Sequence, residues 1–280
     1  MENQVTQLLK AMVKPDYTAC SYAFMQDGKI VCADAIGVID KINNQPITTD
    51  CTFNVCSISK IYCTVCILQL VDEGLIQLED KVSDILPEFT MKDKRYKDIT
   101  VRMCLDHSSG LPGTQWKHFS VSTTSKFDYY SEVLNYLSNS TLKADSGTYS
   151  TYCNDGFTLA EMVVSKVRNM NYEDVLRKYI TEKIGANSTN TTYTIHSDYP
   201  LVSEGKKPKE YFPIQGAGGI TTSMIDLCKF GQLFLEPNSI ISEKSKALMA
   251  KSWGTTFLEL DLGAIDFGLG WDLVRHHDPD

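Results

Sequence analysis

The chain has no excess of positive charge. Its 280 residues hold 27 Lys and Arg against 35 Asp and Glu, a formal net charge of -8. That balance lacks the basic footprint of non-specific nucleic-acid binding, so no nucleic-acid partner is expected. No apolar run reaches the roughly 20 residues needed to span a bilayer, so no transmembrane segment is expected. The opening Met1-Glu2-Asn3-Gln4 is polar and acidic, unlike the basic start of a secretion signal. The expectation is a cytoplasmic protein, or an exported one whose leader has been removed. Internal repeats, low-complexity tracts and flexible linkers are missing too. So is any G-x-S-x-G string, the strained elbow that pairs a nucleophilic serine with a histidine. His118, His196, His276 and His277 stand at no metal-ligand spacing with acids or cysteines.

What remains is an ordinary globular composition, 42% hydrophobic and 22% charged. The length suggests about one or two domains. Nine cysteines are scattered through apolar segments, an odd number that reads as reduced core thiols and not as a disulfide framework. Cys63-Thr64-Val65-Cys66 could be a metal or redox pair. With no second pair at zinc spacing, two small buried residues in one apolar helix is the favoured reading.

Along the chain, Val5, Leu8, Leu9, Met12 and Val13 have helical spacing, and Pro15 should stop that helix. Two strand-like runs, near 18–25 and 29–37, flank Asp27-Gly28, a hairpin signal. A short apolar run over 51–55 leads to Ser57. A helix apolar on most sides then runs to about Glu73, with Gly74 at its end. A turn and a short helix halted by proline are expected over Leu75–Pro87, and helices at Val101–Leu105, Ser131–Leu137, Phe157–Val167 and Asn171–Ile184. Ser223 with Asp226 resembles a capping box, and Ile265–Val274 reads as a strand with two glycines. The implied organisation is an α/β part at 1–85, a mostly helical domain at 86–210, and a return to the α/β part at 211–280.

Two strings carry chemistry. In Ser57-Ile58-Ser59-Lys60 the serine and lysine share one face of a helix start, which sets an amine beside a hydroxyl. Burial can lower the lysine pKa until it takes the serine proton. Ser140-Thr141-Leu142-Lys143 and Ser203-Glu204-Gly205-Lys206 repeat the spacing, but in polar, turn-rich sequence where solvated side chains are the simpler reading. Tyr152-Cys153-Asn154 is the only Tyr-x-Asn string. A phenol beside a lysine ammonium can have its pKa lowered and act as a base. Asn154 can hydrogen-bond a substrate amide or the lysine. The plain alternative is a turn before a helix.

Together and in this order, the two strings resemble those of the serine β-lactamase and penicillin-binding superfamily, in its class C-like branch. That branch includes class C β-lactamases, D-alanyl-D-alanine carboxypeptidases, D-aminopeptidases and family VIII-type esterases. The likeness extends to Gly74–Pro87, Leu105-Asp106-His107-Ser108-Ser109-Gly110-Leu111-Pro112, Gly216-Ala217-Gly218-Gly219-Ile220-Thr221-Thr222 and Phe267-Gly268-Leu269-Gly270-Trp271. It implies a β-lactamase/transpeptidase-like α/β (α+β) fold, an antiparallel sheet flanked by helices plus an all-helical insert. It makes Ser57 the nucleophile, Lys60 its proton partner, Tyr152 the general base, and Asn154 a substrate-binding residue. The Ser57 N–H would form half of an oxyanion hole, His107 would be structural, and no metal or organic cofactor is implied.

One departure stands out. The family's Lys-Thr-Gly or His-x-Gly strand does not follow Phe267–Trp271 within this sequence. The expectation is therefore that the C-terminal sheet strands are absent. A C-terminal fragment or an oligomer partner would then complete the sheet, or the chain would be an inactive truncated piece. The function expected is a serine hydrolase that forms an acyl-enzyme on an ester, an amide of a D-amino-acid peptide, or a β-lactam. Its partner would be a small-molecule or peptide substrate. The alternative is a non-catalytic, penicillin-binding, sensor-like module.

Overall fold

The computed structural model describes residues 2–12, 19–40, 44–122, 127–191, 210–237, 239–254, 259–260 and 263–276. Pro15, His196, Ser203–Lys206 and His277 lie outside them. Helix α1 (Glu2–Met12) precedes strands β1 (Ala19–Gln26) and β2 (Lys29–Asp40). These pair antiparallel from Ala19↔Gly37 to Gln26↔Lys29, with a register shift between Phe24 and Met25. Asp27 and Gly28 have φ of 50° and 73°, the doubly left-handed turn that Asp-Gly favours in two-residue hairpins. Strand β3 (Gln45–Pro46) adds to the edge of β2.

Strand β4 (Phe53–Asn54) runs into a 3₁₀ turn, Cys56–Ile58, and then α2 (Ser59–Asp72). Eleven residues of α2 are buried, so its apolar residues on most sides reflect a central position. Gly74 follows with φ 70°. Next come α3 (Val82–Ile85), α4 (Val101–Leu105), β5 (Val121–Ser122), α5 (Tyr129–Ser138) and α6 (Asn154–Arg168). Helix α7 (Tyr172–Leu176) continues through a π-helical stretch, Arg177–Thr181, into α8 (Glu182–Ile184), closed by Gly185 at φ 65°. Strands β6 (Asn190–Thr191) and β7 (Glu210–Tyr211) lead to α9 (Gln215–Gly218), β8 (Ile220–Thr222), α10 (Met224–Gln232) and α11 (Glu243–Ala250). Strands β9 (Glu259–Leu260), β10 (Gly263–Phe267) and β11 (Asp272–His276) end the described chain. No described helix is long and apolar enough to cross a membrane.

Three expectations change. Ile265–Val274 is not one strand but the arms of a hairpin, because Gly268 N donates to Trp271 O at 2.9 Å and Gly270 takes φ 74°. The Ser223 cap forms only half of a box. Ser223 Oγ accepts from Asp226 N, but the Asp226 carboxylate turns to Ser188 N and Oγ. The helical segment is not wholly helical either, since β5 pairs with β7. Among the described residues, β1-β2-β3, β4-β8-β6 and β9-β10-β11 form separate ladders.

The core is built by α2 and α6, with Tyr62, Leu68, Leu105, Phe157 and Tyr172 fully enclosed. Cys63 and Cys66 are buried in it as free thiols, raised by burial, Cys66 to about 12. Their role is packing, as their helix position suggested.

Candidate active site

Ser57 lies in the exposed turn ahead of α2, while Lys60, one turn on, faces inward and is 2% exposed. The turn is held in an unfavourable shape: Cys56 has φ 46°, which costs a residue with a Cβ about 1–3 kcal/mol. Asn54 and Ser59 hold it there. Asn54 Oδ1 accepts from Cys56 N at 2.9 Å, and Asn54 Nδ2 donates to Gly218 O at 3.0 Å. Ser59 Oγ donates to Cys56 O at 2.6 Å and accepts from Ile220 N at 3.0 Å. The second serine of Ser57-Ile58-Ser59-Lys60 thus fastens the nucleophile turn to β8.

Lys60 Nζ lies 3.2 Å from Ser57 Oγ and donates to Ala217 O at 2.7 Å. Its ammonium also sits 4.7 Å from the Tyr152 ring centre and 5.4 Å from that of Phe157. Burial brings its pKa down to about 7, against smaller upward pulls that include the Asp272 carboxylate. A neutral amine is therefore available near neutral pH, which a solvated lysine would not supply.

Tyr152 OH reaches Ser57 Oγ at 2.5 Å. The loop 105–112 supports it. Thr151 N donates to His107 O at 2.9 Å, and Cys153 N donates to His107 Nδ1 at 3.0 Å. The His107 ring stacks on Tyr152 with centres 4.6 Å apart. Burial, with Lys60 nearby, drops the His107 pKa to about 3, so the imidazole is neutral and accepts at Nδ1. His107 thus holds Tyr152 in place. Gly110 closes this loop at φ 73°, where a Cβ would meet Ala144 O at 2.4 Å.

The phenol pKa moves up, not down as expected. Burial raises the Tyr152 pKa, the Ser57 hydrogen bond opposes this, and Asp272 adds to it. Tyr152 therefore carries its proton at neutral pH. Asp272 pairs across the ladder with Phe267, whose ring centre is 6.4 Å from that of Tyr152. Its carboxyl is itself raised by burial.

Ser57, Lys60 and Tyr152 are thus brought together. Asn154, at the start of α6, is buried, and its Nδ2 donates to Thr114 Oγ1 at 3.0 Å. Of the other Ser-x-x-Lys pair within the described residues, Ser140 Oγ donates back to Tyr136 O and Lys143 is exposed. The sequence reading missed Asn54, Ser59, Thr114 and the Ala217 carbonyl. Asn54 left a signal, since an Asn two residues before a turn commonly caps it. A backbone carbonyl such as that of Ala217 leaves none.

Comparison with known proteins finds relatives in sequence and in fold. Penicillin-binding protein 4* of Bacillus subtilis (strain 168) is 26% identical over 275 residues, covering 89% of this chain and 58% of that protein. Penicillin-binding protein 4 of Amycolatopsis lactamdurans is 26% identical over 158 residues, 56% of this chain and 40% of that protein. The chain thus spans only part of these relatives. In fold, it matches D-amino acid amidase from Ochrobactrum anthropi SV3 with a TM-score of 0.79 at 21% identity, over 98% of this chain and 82% of that one. An octameric penicillin-binding protein homologue from Pyrococcus abyssi gives 0.78 at 22% identity, over 96% and 64%. The family model described as Beta-lactamase matches residues 5–279, so the chain belongs to the beta-lactamase family and to the serine β-lactamase and penicillin-binding superfamily that its motifs resemble.

Proposed function

We propose that the protein is a serine hydrolase that works through an acyl-enzyme on Ser57. The observation that carries this reading is the meeting of three groups. Ser57 Oγ lies within 3.2 Å of an amine whose pKa is about 7 and 2.5 Å from a phenol. Ser57 Oγ attacks an ester, amide or β-lactam carbonyl, and its proton passes to neutral Lys60, directly or through Tyr152. The Ser57 N–H, at the positive end of α2, stabilises the developing oxyanion. Lys60, now charged and braced by Ala217 O, returns the proton to the leaving group by way of Tyr152. Water then attacks the ester, with its proton taken along the same path. Asn154 orients the substrate amide. Amides and peptides of D-amino acids are the substrate class we favour, in keeping with the named activity of the amidase of similar fold.

A second reading is a penicillin-binding module that acylates but releases slowly. The raised Tyr152 pKa favours it, since a protonated phenol activates deacylating water poorly. Labelling with a fluorescent penicillin and a fluorophosphonate, on wild type and Ser57→Ala, tests both. Label on wild type alone is expected. Absence of label from Ser57 with either probe refutes the acyl-enzyme. An adduct that never turns over favours the second reading.

A further inference from the structure

Glu161 is a carboxyl in the middle of the core, on α6, with no exposure to solvent. Both of its hydrogen bonds come from neutral donors. Tyr130 OH donates to Oε1 at 2.6 Å, and Gly216 N donates to Oε2 at 2.7 Å. Burying a carboxyl with no cationic partner is costly, and an apolar side chain of similar volume would serve packing alone better. Such a group calls for a role beyond packing.

The Gly216 bond points to that role. Gly216 belongs to α9, a single turn in which Ile214 O accepts from Ala217 N at 3.1 Å and from Gly218 N at 2.8 Å. The next residue is Ala217, whose carbonyl holds Lys60 Nζ. A Cβ on Gly216 would stand 3.1 Å from both Cys63 Sγ and Glu161 Cβ, so the turn is seated closely on α2 and α6. Glu161 therefore anchors one end of a short backbone unit, and Lys60 hangs from the other.

We infer that Glu161 is a positioning residue for Lys60: its carboxyl fixes the Gly216 amide and thereby aims the Ala217 carbonyl at the lysine amine. The titratable groups that face Glu161 are Cys63 on α2, Tyr129 and Tyr130 on α5, and Tyr172 on α7. Burial raises all four, so each is neutral near pH 7, and none supplies a charge that could replace this anchoring. Burial also lifts the Glu161 pKa to about 8. An uncharged acid still accepts from Gly216 N, so the anchoring depends on reach and not on charge.

The test compares Glu161→Gln, Glu161→Asp and Glu161→Leu in the whole chain. The Lys60 titration is read by NMR on lysine-labelled protein, assigned with Lys60→Arg, and Ser57 labelling by a fluorophosphonate is timed. Gln keeps an acceptor at the same reach, so its Lys60 midpoint and labelling rate should stay within about twofold of wild type. Asp keeps the carboxyl but stops one methylene short, and Leu offers no acceptor. Both should lower the Lys60 midpoint by about one unit, a tenfold change, because the ammonium loses its aimed carbonyl. Their limiting labelling rate should fall about tenfold. The inference is overturned if folded Asp or Leu variants titrate Lys60 as wild type does, or if Gln behaves like Leu. Should Leu fail to fold, the Asp variant decides. The kinetic arm rests on the acyl-enzyme reading. If wild-type Ser57 takes no label, that reading fails, while the Lys60 titration still decides the role of Glu161.

Discussion

The nucleophile turn and the N-terminal hairpin both lie near one end of the chain, yet they are held differently. Around Ser57, two local bonds to Cys56 are joined by supports that reach far along the sequence: Ser59 to Ile220, Lys60 to Ala217, Asn54 to Gly218, Tyr152 to Ser57 itself. The β1–β2 hairpin is held mainly by its own ladder and leaves large side chains in solvent, with Phe24 47% and Val31 54% exposed. A site that needs a strained turn and a desolvated lysine requires many non-local restraints. A hairpin with a favourable Asp-Gly turn needs few.

The sharpest way to break this contrast is to remove the buried amine. Lys60→Met should slow Ser57 acylation about 10²–10⁴-fold, the usual worth of a positioned base. The same variant should be more stable at pH 6, by about 1–4 kcal/mol in denaturant titrations. The sign follows from the lowered pKa, which lets the unfolded chain bind more protons than the folded one from about 7 up to the ordinary lysine value. The charging penalty is therefore complete below that window and fades as pH rises through it. A variant less stable than wild type at pH 6 would contradict the account.

Core packing comes next. Phe157→Ala, in α6 beneath the site, should cost about 3–5 kcal/mol in chemical unfolding. Tyr152→Phe should leave stability nearly unchanged and slow acylation about 10²-fold. In the wild type, acylation should climb with pH through about 7 as Lys60 loses its proton. A rate that falls through that region would assign the base elsewhere. The smallest effect is expected at the hairpin surface, where Phe24→Ser should change stability by about 1 kcal/mol or less. A large loss there would mean that the hairpin face is covered in solution.

Much of the site was legible. Ser57 and Lys60 are three apart on a helix, and Tyr152-Cys153-Asn154 precedes another, so local periodicity reveals both strings. Asp27-Gly28 revealed the hairpin for the same reason. The GLGW stretch was misread as one strand, since two glycines in an apolar run fit a bulge as well as a turn. The direction of the Tyr152 pKa was also misread, because a nearby cation suggests lowering, whereas burial, which is tertiary, raises it.

What the sequence determined by itself is therefore the reactive groups and the helix starts that bear them, because those depend on spacing along a single element. What only the tertiary structure decided is which of the two described Ser-x-x-Lys strings buries its lysine beside its serine. Lys60 has a lowered pKa because it is buried, and the Ala217 carbonyl, 157 residues away, holds it beside Ser57. Solvent exclusion is a property of packing between distant segments, and no local pattern records it.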